Sequence, residues 1–194
     1  INQLTGNIES SIHYYQQSLK HLDVDMEGGF NDFFYDMNYL GLAVSYSKQE
    51  QHNKVIEAAD KYLELTYSWD DMIDRVNNYR LQITNYLNIE FDIYAHSTLY
   101  HLMAISHLEL NNLDLAEKYI NRAVELDIKD ISFAKLQGII IGRKQGQGEL
   151  SRYEEELKIH REYAQLRVSS LTTVKALPPE KQVIWRTGES SETV

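Results

Sequence analysis

His96, His101 and His107 stand five and six residues apart. Two ligands for one metal on a helix need a spacing of three or four, as in HExxH, so this trio offers no metal pair. His101 and His107 read instead as side chains of a packed or groove-lining face. Glu149 and the run Glu154-Glu155-Glu156 supply carboxylates, but no acid–base pairing is visible among them. Asp70 and Asp71 follow Ser68 and fit the first turn of a helix, where a carboxylate meets the positive end of the helix dipole. The stretch GRKQGQG at 142–148 has glycines and a lysine without the GxxxxGK[ST] order or a preceding strand, and reads as a turn between helices. The chain has no cysteine, which excludes disulfides, thiol catalysis and zinc–thiolate sites. The sequence therefore predicts no catalytic residue, no cofactor and no metal site: the protein is not expected to be an enzyme.

The elements that carry these residues are helical. Only two prolines, Pro178 and Pro179, and nine glycines interrupt 194 residues. The clearest unit is Met103 to Asp127, MAISHLELNNLDLAEKYINRAVELD. One helix ends near Leu110, Asn111 and Asn112 turn the chain, and Asp114 lies in the first turn of the next helix. Leu115, Tyr119, Arg122 and Leu126 share one stripe of that helix, and Ala116, Ile120 and Ala123 the adjacent one. Two alanines seven apart allow a neighbouring helix to come close.

This order of residue types resembles a tetratricopeptide repeat, a 34-residue helix–turn–helix unit. Met103 and Ala104 give the apolar and small pair that ends the first helix. His107 stands at an aromatic-type position and Asn111 in the turn. Ala116, Ile120 and Ala123 follow, then the acidic close Glu125-Leu126-Asp127, with Ile128 in place of the usual proline. The pattern recurs more loosely. Gly6 fits a turn, with Ser11, Tyr15 and Ser18 at the small, large and small positions, so the chain is expected to begin inside a repeat, as a piece of a longer protein. Asp23 to Asp32 reads as a loop broken by Gly28-Gly29. A helix from Asp32 to Lys48, with Leu40-Gly41 as its pair, is followed by a turn near Gln49 to Asn53 and a helix from Lys54 to Leu65. There Val55, Ala59 and Tyr62 fill the slots with mismatched sizes. Ser11, Val55, Ala116 and Leu150 are separated by 44, 61 and 34 residues, so the second interval holds an insertion, either an extra helix or a lengthened one. Ser68 caps its start and a break is expected near Asn88 to Asp92. Ile131 to Lys144 is a further first helix with Gly138 as its small residue.

Glu149 to Leu171 reads as a last, solvent-facing capping helix, with Leu150, Tyr153, Leu157 and Tyr163 or Leu166 as its apolar stripe. The run EEELKIHREY is read as its solvated face. From Thr172 the pattern ends, and 172–194, with Leu177-Pro178-Pro179 and VIWR, are expected to form an extended or loosely ordered tail. The tail packs on its own last helix or, through Trp185, enters a neighbour's groove, which leaves self-association open. The fold class expected is all-α: an α-solenoid of antiparallel helix pairs with seven to eight helices over 1–171.

A solenoid stacks its units and leaves a concave groove lined by the first helices. The resemblance implies that outward residues of those helices meet a ligand: Tyr35, Asn38, Leu42 and Ser45; then Thr98, His101, Ile105 and Leu108; then Ser132, Lys135, Ile139 and Arg143. This aromatic, apolar and amide-bearing set suits a helix or an extended peptide. Only Lys135 and Arg143 are basic, fewer than capture of a chaperone's C-terminal carboxylates requires. A formal charge of −10 argues against nucleic-acid contact, and no run of apolar residues is long enough to enter a membrane. The leading expectation is a non-catalytic scaffold that binds a protein or peptide. The alternative is the ligand-sensing repeat region of a bacterial signalling regulator, since the chain is also similar to the repeats of sensor kinases and peptide-pheromone receptors. A cytoplasmic chain fits both, and a periplasmic one fits the sensor reading.

Overall fold

The computed structural model describes residues 7–22, 32–80, 89–146 and 153–175. Among them are eight α-helices and no strand: α1 (Ile8–Leu22), α2 (Asp32–Lys48), α3 (His52–Leu65), α4 (Trp69–Arg80), α5 (Ile89–Glu109), α6 (Leu113–Leu126), α7 (Ile131–Lys144) and α8 (Glu154–Lys175). The all-α repeat architecture expected from the sequence is the one observed. The 23–31 loop, the turn residue Gly148, Leu150 and everything after Lys175, the prolines and Trp185 included, lie outside the described residues.

Two helix pairs form the body, α2 with α3 and α5 with α6, and α3 packs on α5 to join them. The pairs turn alike. Glu50 and Asn111 both take the left-handed conformation, at φ 56° and 59°. The next residue in each, Gln51 or Asn112, donates its N–H to the carbonyl five residues back, at 3.0 Å to Tyr46 and 2.7 Å to His107. Asn tolerates this backbone well because its short side chain relieves the local crowding. The third turn uses Gly146 at φ 74°, where the missing Cβ removes the strain.

The apolar stripes follow the sequence reading. Ala116, Ile120, Ala123 and Leu126 of α6 are buried, as are Val55, Ala59 and Tyr62 of α3. His107 fills its aromatic slot by stacking on Tyr119, ring centroids 5.3 Å apart and planes 9° from parallel. Helix α1 packs on α2 as the second helix of a preceding repeat would. The Tyr15 ring lies so close to Gly41 that a Cβ there would come within 2.4 Å of it, so the small residue of this pair is required by contact. Gly138 is different. No described atom lies within 4 Å of where its Cβ would stand.

The 61-residue interval holds an extra helix. α4 starts at Trp69, where the Ser68 hydroxyl accepts from the Asp71 N–H (3.2 Å) and donates to the Asp71 carboxylate (2.6 Å). It leans on α5 through Trp69 against Tyr100 and an Arg75–Asp92 ion pair of 3.0 Å. α5 then begins at Ile89, within the expected break.

From Ala95 to Leu108, α5 is buried on every face, and α2 is nearly so from Leu40 to Ser47. A helix enclosed all round needs a neighbour on each side. Second helices cover one side, and α8 covers another. This corrects the reading of α8 as a solvent-facing cap. It packs along α5 and α2 and touches α7, burying Leu157, His160, Ala164, Arg167 and Val168. It also runs on to Lys175, past Leu171, because no helix breaker intervenes before the prolines.

Candidate functional site

α2, α5 and α7 are the first helices of their pairs, and α8 lies on the face they share. Two arginines hold it there. Arg167 is 3% exposed. Its Nε donates to the Thr98 hydroxyl and one terminal nitrogen to the Ser97 hydroxyl, both at 2.9 Å. The guanidinium pairs with Asp127 at 3.2 Å and with Asp130 more closely. It lies 3.6 Å from the centre of the Tyr94 ring and 4.9 Å from that of Phe133. Such a planar fork matches several acceptors at once and stacks on aromatic faces, which a lysine ammonium does not. Asp130 has three tasks: it caps α7 by accepting from the Ser132 N–H at 2.9 Å, it pairs with Arg167, and it accepts from the Tyr163 hydroxyl at 2.7 Å.

Nearly two turns back along α8, Arg161 pairs with Glu50 at 2.8 Å and with Glu109 at 3.2 Å. Both carboxylates stand at or near a repeat turn. Burial raises the Glu109 carboxyl above its usual range, with Arg161 acting against that. One residue before Arg161, His160 brings its Nδ1 to 3.3 Å from His101 Nε2, and the His101 ring also lies against Phe133. His101 is fully buried and its Nδ1 has no partner. Burial, then His160 and Arg167, push His101 well below the ordinary imidazole value. Burial, then Lys135, push His160 down to about 4, while Asp130 and Glu156 oppose this. Both rings are therefore neutral near pH 7, and one N–H between them can serve as a hydrogen bond.

An open cleft adjoins each arginine. One, of about 370 Å³, is bounded by Tyr94, Asp127, Lys129, Asp130, Ile131, Ser132, Tyr163 and Arg167. The other, of about 300 Å³, lies among Ile8, Lys48, Glu50, Lys158, Arg161 and Glu162. Among the described residues, no group of three or more His, Asp or Glu is arranged to hold a metal ion.

The expected groove residues divide by helix. On α5, Thr98 and His101 are brought together with α8, and Ile105 and Leu108 are buried beside them. On α2, Asn38 donates to the Ser18 hydroxyl of α1 at 2.9 Å, Leu42 is buried, and the Ser45 hydroxyl bonds back to the Gly41 carbonyl at 2.8 Å. These side chains were read as open to a ligand; they are instead covered, because α8 and α1 enclose the helices that carry them. On α7, Lys135 is exposed while Ser132, Ile139 and Arg143 are partly so. The side chain of Tyr35 lies outside the described residues.

The sequence reading missed Arg167, Arg161 and His160, together with Glu50, Glu109, Asp127 and Asp130. It counted His160 and Arg161 in a solvated run; of its apolar stripe Leu157 is buried and Tyr153 and Tyr163 pack against the core, while the alternative to Tyr163, Leu166, is 68% exposed. The signal was the recurrence of Leu157, His160, Ala164 and Arg167 at intervals of three and four, with Val168 four beyond Ala164, hidden because two of the five are polar.

Helix pairs stacked first helix to second, with matching left-handed turns, define a tetratricopeptide-repeat-like helical array. The comparison with protein families agrees: residues 97–129 match the tetratricopeptide repeat, a span from within α5 through α6 to the turn before α7. No curated protein and no solved structure matches the chain.

Proposed function

We propose that the chain is a non-catalytic protein-interaction scaffold whose first-helix face receives a segment of another protein. Tetratricopeptide repeats are in general such scaffolds. The observation that carries the reading here is that the face already accommodates a helix, α8, through side-chain contacts specific in direction and charge. A surface that holds one amphipathic helix in register has the width and the polar groups to recognise another. Lys135, Ile139 and Arg143 on α7 are the part of the expected contact set that a partner meets first; Thr98, His101, Ile105 and Leu108 on α5, and Asn38, Leu42 and Ser45 on α2 with Tyr35, become contacts only where α8 gives way to it.

Peptide display against the purified chain tests this. Selected sequences are expected to compete with one another and to lose affinity when Ile139, on the more open part of the face, is changed to Ser. Binders indifferent to that change and to substitutions on α8 place the interaction on another surface. The sensor reading, a ligand-responsive repeat region of a bacterial signalling regulator, draws on the same feature. A face filled by the chain's own helix is one whose occupancy can change with a ligand.

A further inference from the structure

We propose that α8 is an exchangeable occupant of the groove, and that the partner for which it holds the place is a basic amphipathic helix bearing two arginines spaced as Arg161 and Arg167 are. This rests on the scaffold reading above.

The first argument is the character of the seam. The α5–α6 and α2–α3 pairs close on Leu, Ala, Ile and Val, as a permanent core does. The α8 seam buries Leu157, Ala164 and Val168 and, beside them, Ser97, Thr98, His101, His160 and Arg167. Polar and ionic groups taken from water lose much of what they gain on pairing, so such a seam holds less firmly than an apolar one of equal size. Contacts of this kind typify surfaces that part and rejoin. Ile159 and Leu166 of α8 remain largely exposed, so the helix is not engulfed.

The second argument is charge. If α8 lifts away, Glu50 and Glu109 lose Arg161 at one end of the face, while Asp127 and Asp130 lose Arg167 at the other. Two carboxylate pairs are left on a chain of net charge −10. The demand for a cation is greatest at Asp130, 5% exposed, and least at Glu50, which stands largely in water. At the Asp127 and Asp130 end, Thr98, Ser97 and the Tyr94 and Phe133 rings surround the position in the way a guanidinium requires. Six residues of helix set the two charges about 9 Å apart along the axis. A small residue between them, as at Ala164, lets the helix seat.

The test uses the full chain and a fluorescent peptide of the 154–175 sequence. In the wild type the tethered α8 competes, and a tether can supply an effective concentration on the order of millimolar. The Arg161→Ala/Arg167→Ala chain, its own helix loosened, is expected to bind the peptide roughly tenfold or more tightly than the wild type does. The peptide with both arginines replaced by alanine is expected to bind neither. Native-state hydrogen exchange on the unaltered chain gives a readout independent of how the variant folds. Amides of α8 are expected to open before those of α5 and α6, and to exchange faster when excess peptide is added. Exchange of α8 together with α5 in one global step overturns the proposal, as does equal affinity of the two chains. If display-selected peptides still bind in that case, the scaffold reading stands with its site elsewhere. If no peptide binds either chain, both readings fall.

Discussion

Gly41 and Gly138 stand where the repeat pattern asks for a small residue, and their surroundings are opposite. Gly41 faces the Tyr15 ring, so Gly41→Ala displaces that ring from the α1–α2 contact and should cost about 1–3 kcal/mol. Gly138 has no described atom near its Cβ position, so Gly138→Ala should stabilise α7 by roughly 0.5–1 kcal/mol through the lost flexibility of the unfolded chain. Urea titration of both variants checks the paired signs. The histidines give a second prediction. Burial holds His96 and His160 down to about 4 and His101 well below its ordinary value. A base whose folded pKa lies below its unfolded one favours unfolding as protons are added. Their contribution is thus complete above about pH 6.5 and is lost as pH falls toward about 4. The neighbours are mixed: Arg75 near His96, His160 and Arg167 near His101, and Lys135, Asp130 and Glu156 near His160. Glu109, raised by burial, acts in the opposite sense at the lower end of that range. A falling urea midpoint between pH 7 and 5, diminished in His160→Gln, is expected. The seam's residues were the least legible in the sequence. An arginine on a buried face looks like an arginine on a wet one until its partners, here from α5 and from the α6–α7 turn, are in place.

Helices whose buried face is apolar could be read directly. The alanine stripe of α6 and the serine cap of α4 were plain because each depends on neighbours within one turn. Ala116 is fully buried in the central pair, so Ala116→Arg is expected to abolish the helical signal of that pair in far-UV circular dichroism, there being no room or counter-charge for the side chain. α8 was misread at this scale for the complementary reason. Its stripe mixes leucine, alanine and valine with histidine and arginine, and hydrophobic periodicity registers only the first group. Arg167→Leu removes the charge and leaves Asp130, 5% exposed, without this cation, with the partly exposed Asp127 losing the same partner. It should loosen α8 by several kcal/mol, about 3–5 by analogy with other broken buried pairs. Faster proteolysis within α8 at unchanged α6 protection would report it.

At the scale of the molecule, the array was legible in its class and not in its closure. Repeat spacing depends on local turns, which the sequence carries at Asn111 and, less obviously, at Glu50. The arrival of the last helix on the face of earlier ones depends on contacts between residues up to 111 positions apart, such as Arg161 with Glu50, and no spacing rule announces them. The family match over 97–129 marks the one repeat with regular residue types; α2 and α3 make the same turn with coarser choices.

The α4 excursion carries a consequence of its own. The chain leaves α3 at Thr66 and re-enters at α5, where the Thr66 hydroxyl lies 3.1 Å from His96 Nε2. α3 thus meets α5 directly, and α4 adds the fully buried Met72 and Val76 to the same core. In engineering terms this is a socket. A foreign domain spliced between Arg80 and Ile89, so that α4 keeps its core contacts, would be carried by the array as cargo.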